Sequence, residues 1–122
     1  MSKRVLLVDD SETVIQFEKM ILRGMGFDIA TAKNGKLALE QISVQMPDLV
    51  LLDLMMLDMD GIETLRRLKE NPESQGIPVI VVTTKGDPEL VKQAFEAGCD
   101  DYVTKPIDKM ELLSKIKGIL PQ

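Results

Sequence analysis

Asp9, Asp10, Asp53, Thr83 and Lys105 carry the side chains in this sequence that could meet in one reaction. They are far apart in the chain, yet each stands at the end of a short apolar run. Three carboxylates brought together repel one another, and burial sharpens the repulsion because the charged form loses its water. Such a group calls for an offsetting cation. Mg²⁺ suits: it is hard, prefers oxygen, and is commonly held by one or two carboxylates with water and phosphate oxygens. Lys105 adds a fixed positive charge and Thr83 a hydroxyl donor. A carboxylate can act as a nucleophile and take up a phosphoryl group. Cations around it stabilise the charge on the moving group. The set is therefore equipped for phosphoryl transfer.

The elements that must position these residues follow from the apolar pattern. Val5-Leu6-Leu7-Val8 runs into Asp9-Asp10, Leu49-Val50-Leu51-Leu52 into Asp53, and Pro78-Val79-Ile80-Val81-Val82 into Thr83-Thr84. Uninterrupted apolar runs this short mark strands buried on both faces. Phe27 to Ala32 alternates instead, which suits an edge strand, and Tyr102-Val103-Thr104 reads as a short last strand ending at Lys105-Pro106. Helical spacing fills the gaps: Val14, Phe17, Ile21 and Met25; Leu37, Ala38, Ile42 and Val44; Ile62, Leu65 and Leu68; Leu90, Val91, Ala94 and Phe95; Leu112, Leu113, Ile116 and Leu120. Asp10 or Ser11 caps the first helix and Gly24 or Gly26 ends it. Asn34-Gly35 reads as a turn, Pro47-Asp48 closes the second helix, and Asn71-Pro72 ends the third. Asp87-Pro88 opens the fourth and Gly98 stops it, while Asp108 with Glu111 forms a capping box for the fifth.

Strands alternating with helices predict an α/β fold: a doubly wound five-stranded parallel sheet, flavodoxin-like. The continuous runs want the centre and the other two strands want the edges. A spatial order of 2-1-3-4-5 satisfies both and puts the first and third strands at the switch point, where ligands bind at the carboxyl ends. Asp9-Asp10, Asp53, Thr83 and Lys105 then reach one rim.

Composition narrows the chemistry. The 122 residues predict a single domain over 1–122, and 44% hydrophobic residues predict a folded one. The net charge of −5 argues against direct contact with nucleic acid or an anionic membrane. Cys99 is the single cysteine and there is no histidine, which removes an internal disulfide, Cys–His and Ser–His–Asp catalysis and most zinc sites. Nothing reads as a signal peptide or a membrane span, so the cytoplasm is the expected location.

On Asp9-Asp10, Asp53, Thr83, Tyr102 and Lys105-Pro106, together with the strand ends that carry them, the sequence resembles a response-regulator receiver domain of two-component signalling, in the style of the single-domain chemotaxis regulators. The resemblance runs from Lys3 to about Leu120. It implies that Asp53 is the phosphoacceptor, taking a phosphoryl group from the phosphohistidine of a sensor histidine kinase or of a histidine phosphotransfer domain in a phosphorelay. It implies Mg²⁺ held by Asp10, Asp53 and Asp9, with the backbone carbonyl of Met55 completing the site. Thr83 and Tyr102 would form the switch pair, Lys105 would meet the phosphoryl oxygens, and Pro106 would follow a cis bond. Such a domain is not an enzyme in the usual sense: it catalyses only its own phosphorylation and slow autodephosphorylation. Its output would be protein contact through the fourth helix, fifth strand and fifth helix, near Lys92, Tyr102 and Lys109, with a weak homodimer on phosphorylation. The sequence departs from the family where Met56-Leu57-Asp58-Met59-Asp60-Gly61 lacks the frequent proline and where Ile107 replaces a frequent aromatic. Met55 and Lys85 occupy positions that tune the phosphoryl lifetime.

Two other readings stand beside this one. The chain could be a receiver-fold binding module whose contacts do not depend on phosphorylation; the intact acidic set favours the first reading. Asp58-Met59-Asp60-Gly61 also resembles the motif of phosphatases that work through an aspartyl phosphate on Asp58 with Asp60. Those place the motif directly after the first strand, whereas here it follows the third, with four residues intervening after Asp53.

Overall fold

The structure of the protein, a computed structural model, describes residues 2–56, 60–84 and 87–120. Its elements alternate: β1 (Arg4–Val8), α1 (Glu12–Arg23), β2 (Asp28–Ala32), α2 (Gly35–Val44), β3 (Leu49–Asp53), α3 (Gly61–Glu70), β4 (Val79–Thr84), α4 (Pro88–Glu96), β5 (Asp101–Lys105) and α5 (Lys109–Ile119). The five strands pair in parallel in the order β2-β1-β3-β4-β5. Crossover helices cover both faces, which is why the central strands are apolar without alternation.

Side-chain parity divides the core into two layers. Val5, Leu7, Leu49, Leu51, Ile80, Val82 and Val103 pack with Ile15, Ile21 and Leu22 of α1 and with Leu112 and Ile116 of α5. Leu6, Val8, Val50, Leu52, Val79 and Val81 pack with residues of α2, α3 and α4, among them Ile42, Leu65, Leu68 and Ala94. The register aligns Val8 with Leu52, Asp53 with Val82, and Thr84 with Lys105. The chemistry-bearing strand ends therefore lie along one rim.

Each helix starts on a side-chain cap. Ser11, Asn34, Asp60, Asp87 and Asp108 accept from the N–H groups of Val14, Leu37, Glu63, Leu90 and Glu111. Asn34 is thus the cap of α2 rather than simply part of a turn. The last strand is longer than expected, because Asp101 and Lys105 both pair with β4. The helix faces differ more. In α1 the buried residues are Ile15, Glu18, Ile21 and Leu22, so the face is turned from the expected Val14–Phe17 stripe and Phe17 is exposed. In α2, Leu37 and Val44 are exposed, and the buried face is Gly35, Ala38 and Ile42. In both helices apolar residues outnumber one face, and contact with the sheet selects which of them are covered.

Candidate functional site

Asp9 extends the parity of Val5 and Leu7, Asp53 that of Leu49 and Leu51, and Lys105 that of Val103. All three belong to the layer covered by α1 and α5. Asp9 and Asp53 are each only 2% exposed, while Asp10, one residue on, is exposed. One carboxylate oxygen from each of Asp9, Asp10 and Asp53 lies within 4.8 Å of the others. The Lys105 ammonium sits between the two buried acids, 3.5 Å from Asp9 Oδ2 and 3.5 Å from Asp53 Oδ2.

Backbone amides orient the acids. The Ser11 N–H donates to Asp9 Oδ1 at 2.9 Å, joining the end of β1 to the start of α1. The Met55 N–H donates to Asp53 Oδ1 at 3.1 Å. Both carboxylates are thereby held by their Oδ1 atoms and turn their Oδ2 atoms to Lys105. Asp9 Oδ2 and Thr83 Oγ1 are buried without a hydrogen-bond partner, which is costly unless a ligand or a later state satisfies them. Burial pushes the Asp53 carboxyl up to about 6; the Met55 N–H opposes this, Asp9 adds to it and Lys105 offsets part of it. A single ammonium against three carboxylates leaves net negative charge on oxygen donors. The residues present therefore fit a hard divalent cation such as Mg²⁺.

The remaining residues predicted from the sequence lie around this centre. Thr83 is fully buried on β4, and Tyr102 is half-buried on β5, paired in register with Val81, two steps from the Thr83–Thr104 pair. No hydrogen bond joins Thr83 to Tyr102, since Thr83 Oγ1 has none. Tyr102 is instead pinned from two sides. The Phe95 ring meets it edge-on at 6.1 Å between centroids, and Lys115 Nζ lies 4.5 Å from its centroid. Lys115 also donates to the Tyr102 carbonyl and lies 3.5 Å from Asp101. The Lys105–Pro106 peptide is cis. Met55 is exposed; its amide is engaged with Asp53. Lys92 and Lys109 are exposed on α4 and α5. Asp60 is the cap of α3, its Oδ1 accepting from the Glu63 N–H at 2.7 Å. Asp58 and Lys85 lie outside the described residues.

One residue at the site escapes the sequence reading. Glu18 of α1 is 1% exposed, and its Oε1 has no hydrogen-bond partner. Burial pushes its carboxyl up to about 8, Asp9 and Asp53 add to the rise and Lys105 opposes it. These are the groups of the rim, so Glu18 stands within electrostatic reach of them. Its spacing of three from both Ile15 and Ile21 is the signal that places it on the buried face.

The family described as the response regulator receiver domain matches residues 5–117. The DNA-binding response regulator MtrA of Mycolicibacterium smegmatis is 39% identical over 120 residues, covering 98% of this chain and 51% of MtrA. The response regulator PleD of Caulobacter vibrioides is 35% identical over 119 residues, covering 98% of this chain and 26% of PleD. The chain thus spans about half the length, or less, of these curated relatives. Among solved structures, a putative response regulator from Chloroflexus aurantiacus superposes over the full length of both chains with a TM-score of 0.96 at 33% identity. The chemotaxis protein CheY4 of Vibrio cholerae superposes with a TM-score of 0.91 at 26% identity, covering 98% of this chain and all of that one.

Proposed function

This chain belongs to the response regulator receiver domain family, and from that premise we propose that Asp53 is its phosphoacceptor. The observation that carries the reading is the placement of Asp53: buried at a strand end, held by the Met55 N–H, 3.5 Å from the Lys105 ammonium, with Asp9 and Asp10 alongside. In the reaction, an Asp53 carboxylate oxygen attacks the phosphorus of a phosphohistidine. The phosphorus–nitrogen bond breaks, and the imidazole leaves with that electron pair. The donor is a sensor histidine kinase or a histidine phosphotransfer domain. Water later cleaves the acyl phosphate, slowly, and regenerates the carboxylate.

Asp9, Asp10 and Asp53 would hold Mg²⁺, with the Met55 carbonyl as a further oxygen ligand. The bound ion would supply charge neutralisation for the incoming phosphoryl group. Lys105 stabilises the phosphoryl oxygens as a fixed cation, leaving its carboxylate partners as it does so. The unpartnered Thr83 hydroxyl would donate to a phosphoryl oxygen. Its movement would bias Tyr102, and with it the surface of α4, β5 and α5 near Lys92, Tyr102 and Lys109. That surface would engage the downstream protein or a second copy of the chain in a weak homodimer. A groove of about 330 Å³ beside Lys105, lined by Thr13, Val14, Phe17, Pro106 and Ile107, offers the phosphodonor an apolar approach to the rim.

The domain works in the cytoplasm, where a kinase phosphohistidine is available. Among the described residues no helix is long and apolar enough to cross a membrane. The net charge of −5 disfavours direct nucleic-acid contact by this domain, so a DNA-binding role like that in MtrA's name would need a further segment.

Incubation with acetyl phosphate and Mg²⁺ should add the mass of one phosphoryl group, and Asp53→Asn should abolish the gain. A wild-type chain that gains no mass would instead be a binding module acting without phosphorylation. Turnover of small phosphate esters that survives Asp53→Asn but not Asp58→Asn would make it a phosphatase.

A further inference from the structure

Tyr102 is held by a side chain that the reaction described above does not use. β5 closes the sheet at one edge, beside β4, and an edge strand leaves a row of backbone groups unpaired. Lys115 of α5 reaches across that edge. Its helix packs on one face of the sheet through Leu112 and Ile116, whereas the Tyr102 ring packs against the other layer, which includes Val81 and Ala94. The ammonium donates to the Tyr102 carbonyl, lies 3.5 Å from Asp101 Oδ1, and stands 4.5 Å from the centroid of the Tyr102 ring. Asp101 Oδ1 is itself fixed, since it accepts from the Tyr102 N–H at 2.8 Å. The carbonyl and the carboxylate are thus tied to the backbone of β5, and they stay in place when the ring turns about its side-chain bonds. Thr83 continues the alternation of Val79 and Val81 on β4, so it shares a face with the Tyr102 ring. Tyr102 is opposite Val81 and Thr83 opposite Thr104, which makes the two diagonal neighbours. A ring that turns toward β4 and Thr83 turns away from the sheet edge, where the ammonium stands.

We propose that Lys115 is a positioning residue of the switch: its ammonium holds the Tyr102 ring at the sheet edge and so favours the unphosphorylated arrangement. The inference rests on the reading that Thr83 and Tyr102 form the switch pair. Two positions of one ring differ by the contacts each makes, and a ligand shifts their populations only by its own preference between them. The contact with the ammonium and the edge of Phe95 both belong to the position at the sheet edge. Phosphorylation has to draw the ring away from them. The apparent affinity for a phosphoryl group is then scaled down by the fraction of chains already unclasped. Lys115 acts on the chemistry at Asp53 only through Tyr102, by setting that fraction.

The test is titration calorimetry of beryllium fluoride, a mimic of the phosphoryl group, into the full chain in saturating Mg²⁺, with the emission of Tyr102 followed in parallel. The sequence has one tyrosine and no tryptophan, so that emission reports this ring. Wild type is compared with Lys115→Met, Lys115→Gln and Lys115→Arg, and Lys117→Met is the control for an exposed lysine on the same helix. The expected result is a Kd tightened about two- to thirtyfold in Lys115→Met and Lys115→Gln, the range spanned by one contact between a cation and a ring. Lys115→Arg keeps a cation over the ring and should retain the wild-type Kd, as should Lys117→Met. In a Tyr102→Leu background, Lys115→Met should change the Kd by less than about twofold, because the partner through which it acts is gone. A lysine that merely supported the fold would weaken binding when lost, and would do so in either background. Unchanged or weaker affinity in the neutral Lys115 variants would overturn the inference, as would equal tightening in the Tyr102→Leu background. Wild type that binds the mimic without a change in Tyr102 emission would overturn the switch role of Tyr102 and this inference, leaving Asp53 as the phosphoacceptor. Wild type that does not bind the mimic would overturn the phosphoacceptor reading itself, and this inference with it.

Discussion

At the scale of single residues, the acids of the rim differ in what burial does to them. Glu18 titrates near 4.5 as an ordinary carboxyl but near 8 in the folded chain, chiefly because burial penalises its charge. Between those values the folded protein holds a proton that the unfolded chain has released. Its contribution to stability is therefore fully present at pH below the ordinary value and is lost as pH rises through the folded one. Asp53, raised from 3.8 to about 6, acts in the same direction at lower pH. In chelator, the urea midpoint of wild type should fall from about pH 5 to about pH 9, by on the order of a few kcal/mol in unfolding free energy. Glu18→Leu should flatten the upper part of that fall. A wild-type midpoint constant across the range would contradict the burial of an uncompensated Glu18. This residue was not legible in the sequence for a physical reason. Either the Val14–Phe17 or the Ile15–Leu22 stripe satisfies helical periodicity, and only the sheet decides between them. Asp9, Asp53 and Lys105 were legible because strand parity leaves no such choice: each follows directly from an apolar run.

At the scale of elements, the junction between β3 and α3 sets where Asp53 stands. Gly61, the first residue of α3, donates its N–H to the Leu54 carbonyl at 3.2 Å. A Cβ at Gly61 would lie 2.4 Å from Leu54 Cα and 2.6 Å from the Asp53 carbonyl oxygen, both backbone atoms that cannot yield without moving the strand end. Gly61→Ala should cost about 1–3 kcal/mol in urea unfolding and slow acetyl phosphate labelling of Asp53, because helix and strand end must separate. Gly118, within α5, is the contrast: nothing lies within 4 Å of its would-be Cβ. Gly118→Ala should stabilise by up to about 1 kcal/mol and leave labelling unchanged. Equal effects of the two substitutions would mean that the close approach at Gly61 does not constrain the site. The second element-level device is the clasp on β5. Lys115→Met removes the ammonium over the Tyr102 ring and its bond to the Tyr102 carbonyl. Tyr102 ring resonances in NMR should then shift and broaden without phosphorylation, and unchanged resonances would show that Phe95 alone holds the ring. The caps Ser11, Asp60, Asp87 and Asp108 stand directly before apolar periodicity and are readable as text. The clasp is not, because Lys115 reaches Tyr102 from the next helix, thirteen residues on.

At the scale of the whole molecule, the two core layers and the rim pull in opposite directions. The sheet is apolar on both faces, and its order could be argued from the sequence because continuous and alternating strands sort themselves between centre and edge. Onto this stable frame the chain places Asp9, Asp53 and Glu18, all at 2% exposure or less, with Lys105 paired to the two aspartates. Sites built for function commonly hold such unfavourable charge, and removing it stabilises the protein while ending its activity. Asp53→Asn should therefore raise Tm in chelator, since it removes one buried charge and leaves Lys105 paired with Asp9. A ligand that binds only the folded state adds about 2.7 kcal/mol at a hundred times its Kd. For a chain of this size that is a rise in Tm of roughly ten degrees. Saturating Mg²⁺ should give wild type most of that rise and Asp53→Asn much less, so the two melting curves should approach or cross as the metal is added. Differential scanning calorimetry in chelator and over an Mg²⁺ series measures both. A lower Tm for Asp53→Asn in chelator would mean that Lys105 needs both aspartates and that the acid rim contributes net stability. An equal Mg²⁺ response in the two proteins would place the cation away from Asp53.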